Sequence, residues 1–117
     1  QAGDTDASRR VYELILDQES RGMLAYAAHL GLATLDEEGE AWAEAQGHYR
    51  EVADQDRGAY AELALTNMIR VAELSGDEAS ASTSREELQL RFPNSPAVQN
   101  LLKDVQTADP EVGSDGG

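Results

Sequence analysis

Apolar residues fall three and four positions apart along most of the chain, and that spacing predicts helices. Val11, Leu14 and Ile15 mark a first helix over about Ala7 to Asp17, with Asp4, Thr5 and Asp6 placed to accept its free amide hydrogens. Gln18 to Gly22 interrupts the pattern. Leu24, Ala27, Ala28, Gly31 and Leu35 define a second helix whose contact face is mostly small side chains, which lets a neighbour come close. An acidic turn around Gly39 leads to a third helix, carried by Trp42, Ala45, Tyr49 and Val52 and ending near Asp56. Arg57 and Gly58 open a fourth, with Ala61, Ala64, Leu65, Met68 and Ala72 on its packing stripe. Gly76 followed by Asp77 reads as the glycine end of that helix and the cap of the next. The fifth helix holds Ala81, Leu88 and Leu90 and stops at Phe92-Pro93-Asn94-Ser95-Pro96, because each proline lacks an amide donor and pushes the residue before it out of helical geometry. A sixth starts with Pro96 in its first turn and carries Val98, Leu101, Leu102 and Val105 on one side. Residues 107–117 offer almost nothing to bury and are predicted to be a disordered acidic, glycine-rich tail after an all-α domain over residues 1–106.

Composition sharpens this picture. The 117 residues suffice for one domain that buries about two thirds of its extended surface. Aromatics are only 5% of the chain, which favours close-packed helices over a β-sandwich. Twenty-three acidic residues against nine basic ones give a formal charge of −14, a field that repels a phosphate backbone, so nucleic acid is excluded as a partner. No cysteine is present, which removes disulfides, thiolate nucleophiles and cysteine-ligated zinc. No apolar run approaches the roughly 20 residues that span a bilayer, so no direct membrane insertion is expected. The acid excess also fits a salt-adapted, halophilic surface, in which added salt screens self-repulsion.

A shift of 36 residues brings the sequence onto itself. It carries Arg21-Gly22 to Arg57-Gly58, Ala25 to Ala61 and Ala97, Ala28 to Ala64, Leu32 to Met68, Ala45 to Ala81, and Val52 to Leu88. The turn glycines Gly39 and Gly76 lie 37 apart. A two-helix unit of about this length follows. Leu30-Gly31, and Ala45 followed four residues later by the aromatic Tyr49, resemble the signature of the tetratricopeptide repeat; the second unit keeps Ala81 and Pro93. It departs at Met68-Ile69, where Leu-Gly is usual, and at Arg85, where an aromatic is usual, and Asp56 stands near the first unit's expected proline. The resemblance covers roughly Met23 to Leu102. It implies a tetratricopeptide-like α-solenoid of about six antiparallel helices. The phrase Arg91 to Pro96, preceded by Gly76, Asp77 and Ala81, is also similar to repeats of bacterial envelope proteins, such as outer-membrane assembly lipoproteins, cell-division coordinators of the Tol-Pal system and the ancillary subunit of the secretion translocon. That likeness implies a periplasmic or envelope-associated setting, with the cytoplasm as the alternative.

In such a solenoid the first helices of successive pairs line a concave surface. Leu63, Thr66, Asn67, Arg70 and Glu73 form a stripe on the fourth helix roughly opposite its packing stripe, and Tyr26, His29 and Ala33 hold comparable places on the second. Carrying the family's groove over by this register makes Tyr26, His29, Thr66 and Arg70 the expected partner contacts.

Other chemistry finds less support. His29 and His48 are assigned to different helices, and Glu44 four residues before His48 reads as a surface pair rather than a metal ligand set. Asp36, Glu37, Glu38 and Glu40 lack the alternating spacing of a calcium loop. The serines between Ser75 and Ser84 have no histidine nearby in sequence and follow no strand. Trp42 and Tyr49 share a face with Ala45 and Val52 and read as core. The sequence therefore leads to a noncatalytic module without metal or cofactor, binding a protein or peptide. The alternatives are self-assembly into a homo-oligomer, or service as an accessory domain of a larger protein.

Overall fold

The computed structural model describes residues 2–96, 98–100 and 103. The order is α1 (Ala2–Gln18), α2 (Met23–Glu38), α3 (Trp42–Gln55), α4 (Ala59–Ser75) and α5 (Glu78–Arg91). Pro96, Val98 to Asn100 and Lys103 are also helical and belong to a sixth helix, α6. There is no strand among the described residues. The tail predicted over residues 107–117, and the positions Leu101, Leu102 and Val105, lie outside them. No helix is long and apolar enough to cross a membrane among the described residues.

Each helix packs chiefly on its neighbours in the chain, and α2 and α4 also touch along one edge. The result is long and thin, 58 × 30 × 19 Å. The core is built from Tyr49, Val52, Leu65, Met68, Ile69, Val71 and Leu88, with Trp42 and Phe92 packed against it, so Trp42 and Tyr49 lie where the sequence put them.

The boundaries recur at a fixed interval. Met23 and Ala59, Trp42 and Glu78, Gln55 and Arg91 begin or end helices 36 residues apart. The interval also governs burial: Ala25 and Ala61, Ala28 and Ala64, Leu32 and Met68, Ala45 and Ala81, Val52 and Leu88 are all in the core. One sequence match needs correction, because Gly76 corresponds to Glu40 rather than Gly39. Gly76 has a left-handed φ of 77°, and the amide of Asp77 donates to the Ala72 carbonyl at 2.8 Å. At the end of α2 the left-handed residue is Glu40, φ 58°, and the amide of Ala41 donates to the Asp36 carbonyl at 2.7 Å. Both helices end in the same crossed hydrogen-bond pattern, although a left-handed φ is unfavourable for a residue with a Cβ.

The second correction concerns α1, which starts at Ala2 rather than Ala7, so Asp4, Thr5 and Asp6 are helical residues and do not cap it. No breaker separates them from the helix, and an acid such as Asp4 in the first turn is favoured by the peptide dipoles. Val11, Leu14 and Leu90 belong to helices as expected but are exposed, Leu90 at 83%.

Carboxylates accept from the free amides at the starts of α4 and α5. The Asp56 carboxylate accepts from the amides of Gly58 (3.0 Å) and Ala61 (2.9 Å), and Asp77 accepts from the amide of Ser80 at 3.1 Å. Gly31 has a different task. A methyl group built there would overlap the Tyr12 ring, so this glycine lets α1 lie close against α2.

Candidate functional site

The α2 and α4 helices lie side by side and meet at two places. Near their N-terminal ends the Tyr26 and Tyr60 rings are 5.4 Å apart at 49°, the tilted geometry that aromatic quadrupoles favour. Toward their C-terminal ends Arg70 grips Glu37 with two hydrogen bonds of 2.7 and 2.9 Å. These partners are separated by 34 and 33 residues, not 36, so α4 is displaced along α2 by two to three residues, or about 3–4.5 Å.

Glu37 links this edge to the core. Its Oε2 also accepts the Tyr49 hydroxyl at 2.5 Å, and Tyr49 is buried. Burial alone would raise the Glu37 carboxyl, but the hydrogen bonds from Arg70 and Tyr49 outweigh it and hold the group below its ordinary value. Burial and the bond to Glu37 push the Tyr49 phenol far up. The 36-residue counterpart of Tyr49 and Glu37 is Arg85 and Glu73, paired at 2.9 Å. Arg85 thus stands 36 residues from Tyr49 and contacts the corresponding carboxylate position.

On α4, Leu63, Asn67, Arg70 and Leu74 fall at i, i+4, i+7 and i+11, one stripe of the helix. Leu63 and Leu74 are exposed at 47% and 60%. Between them Asn67 accepts from Arg70 Nη2 at 2.9 Å while its amide nitrogen donates to the Leu63 carbonyl at 3.1 Å. The stripe therefore has two exposed leucines around a centre already fixed by hydrogen bonds.

The four predicted contacts separate. Tyr26 and Arg70 both lie on this edge. The Thr66 hydroxyl donates back to the Glu62 carbonyl at 2.9 Å, inside its own helix. His29 is buried and turned toward α3, where its Nδ1 meets Nδ1 of His48 at 2.9 Å; Ala33, placed by sequence on the same stripe, is also in the core. His48 Nε2 lies 3.6 Å from Asp36 Oδ2, and Asp36 Oδ1 accepts from Arg9 Nη2 at 2.9 Å. A chain of polar groups, Arg9, Asp36, His48 and His29, therefore joins α1, α2 and α3. Sequence spacing gave no signal for it, because its members lie on three helices and only folding aligns them. Among the described residues no group of three or more histidine or acidic side chains is arranged to hold a metal ion.

A shallow groove of about 480 Å³ lies between α3 and α5, lined by Gln46, Arg50, Ser80, Thr83 and Ser84 among others. It contains two of the serines noted in the sequence, and neither histidine lines it. Arg50 bridges its end with two hydrogen bonds to Glu87, of 3.1 and 2.7 Å. Comparison of the chain with protein-family models, with curated proteins and with solved structures finds no match.

Proposed function

We propose that this chain is a noncatalytic interaction module of tetratricopeptide-like form, which binds a peptide or protein on the face shared by α2 and α4. The observation that carries the reading is the parallel pair itself: Tyr26 against Tyr60 and Arg70 against Glu37 hold the two first helices of successive hairpins side by side, with Leu63 and Leu74 uncovered beside them. Helix boundaries and buried positions that recur every 36 residues support a repeated hairpin as the building unit. Rigid helices with preset side chains lower the ordering cost of binding, and the two leucines supply apolar area. The likeness of the Arg91 to Pro96 phrase supports a place in a bacterial envelope complex.

The sign of the surface charge narrows the partner. Arg9, Arg50, Arg70, Arg85 and Arg91 are all engaged by carboxylates, so much of the cationic charge is neutralised while the acid excess remains. A partner with complementary, basic character would be drawn in faster at low salt.

The test is affinity capture from the native cell with mutually controlled variants. The Tyr26→Ala, Arg70→Ala double variant is expected to lose partners that the wild type retains, and Leu90→Glu, on exposed α5 surface, is expected to keep them. Equal capture by all three proteins would rule out the α2/α4 face. Concentration-dependent light scattering in place of capture would favour self-assembly.

A further inference from the structure

The contact between His29 and His48 has a stoichiometric limit. Two imidazole Nδ1 atoms 2.9 Å apart can share one proton: one ring donates and the other accepts. With the hydrogen of His48 on Nε2, the nitrogen that lies 3.6 Å from the Asp36 carboxylate, His48 Nδ1 is the acceptor and His29 Nδ1–H is the donor. One further proton fits on His29 Nε2 and leaves the shared bond intact. A second further proton puts N–H on both Nδ1 atoms, and the bond becomes a repulsion between two cations.

The surroundings tie this limit to α1. Asp36 is only 4% exposed, and its Oδ2 has no hydrogen-bond partner, whereas Oδ1 is held by Arg9 from α1. A charged His48 faces the other oxygen, Oδ2, and is repelled by Arg9 across this one carboxylate. The other charges acting on the pair are Glu13 from α1 and Glu51 from α3; α4 meets α2 through Glu37 and Arg70, which pair with each other. The side chain of His48 is about a quarter exposed, 26%, so solvent protons reach it. Among α1 to α5, α1 is the one with the least support: it packs on α2, through Arg9 and the Tyr12 ring on Gly31, and among the described residues has no partner of comparable extent on its other side.

We propose that the His29–His48 pair is a proton-operated joint, in which uptake of the second proton separates the rings, draws Asp36 away from Arg9 and releases α1 from α2. The module then has two forms, with α1 docked at neutral pH and with the flank of α2 uncovered in mild acid.

The direction follows from linkage. Burial first, then repulsion from His48, lowers His29; burial first lowers His48, with Arg9 adding to it and Asp36, Glu51 and Glu13 opposing. Folded values below the ordinary histidine value mean that the unfolded or released state binds protons more readily. The stabilisation is therefore complete above about pH 6.5 and is lost as pH falls from there through the folded values.

Hydrogen exchange resolved by helix tests this on the intact chain. Between about pH 7.5 and about pH 5, after correction for intrinsic exchange rates, protection of α1 is expected to fall about tenfold, the equivalent of one pKa unit, while α4 and α5 keep theirs. In His48→Gln, which leaves no ring to charge beside Asp36 and Arg9, α1 protection is expected to stay level. A wild-type α1 that keeps its protection, or a variant with the same fall, would overturn the proposal. Should His48→Gln not fold, proton NMR titration of the wild-type rings decides. Two coupled steps below about pH 6.5 support the joint, and two independent titrations at the ordinary histidine value refute it.

Discussion

Leu65→Ala is expected to lower the free energy of unfolding by about 2–5 kcal/mol, the range for deleting a buried leucine side chain. Leu65 is fully buried on α4, in the cluster that joins α3, α4 and α5, and rigid neighbours cannot collapse fully into the space it leaves. A small domain has roughly 5–15 kcal/mol in total, so this one change removes a large share. Leu90→Ala, at an exposed site on α5, serves as the comparison and should change stability by no more than about 0.5 kcal/mol. Denaturant unfolding monitored by helical circular dichroism measures both. Equal costs would mean that the buried seam does not run where the fold places it.

Glu37→Ala is the second large effect, expected at about 1–3 kcal/mol, because it leaves the buried Tyr49 hydroxyl without its acceptor. Arg70 loses a partner too, but its guanidinium is exposed at 46%, and such pairs contribute about 0–1 kcal/mol. The hydroxyl therefore carries most of the cost. In a Tyr49→Phe background the same substitution should cost clearly less, and an undiminished cost would assign the effect elsewhere. The carboxyl is held below its ordinary value, so its contribution is complete above the ordinary glutamate range and disappears as pH falls through the folded value. Unfolding midpoints across an acid series should show this loss in the wild type and not in Glu37→Ala.

The helices were legible because alternation at three and four residues is a local property, and the breakers between them, Gly22, Gly58, Gly76 and Pro93, act locally as well. The 36-residue shift named matched positions, and its apolar pairs, Ala25 with Ala61 and Val52 with Leu88 among them, are buried in both copies where described, whereas the matched Arg-Gly breaks are exposed. What it concealed was contact between units. Side-by-side helices touch at 33 and 34 residues because α4 is displaced along α2, and no self-comparison at one shift reveals this. Arginine pairing was equally hidden: Arg50 reaches Glu87 and Arg91 reaches the Asp56 carbonyl, contacts that depend on how helices are set against each other. Glu40 illustrates a third limit. The turn was read around Gly39, but the left-handed residue and the hydrogen bonds closing α2 fall one residue later, at Glu40. His29 lies in the core rather than on the outer stripe because a single residue on a helix turns a side chain by about 100°, enough to exchange solvent for a neighbouring helix.

The most direct measurement is a nuclear Overhauser experiment between the rings of Tyr26 and Tyr60, which belong to different hairpins and are 34 residues apart. The account predicts strong cross-peaks between these rings, since their centroids lie 5.4 Å apart. Fully formed α2 and α4 with no contact between the two tyrosines would contradict a shared face, and with it the binding role built on that face.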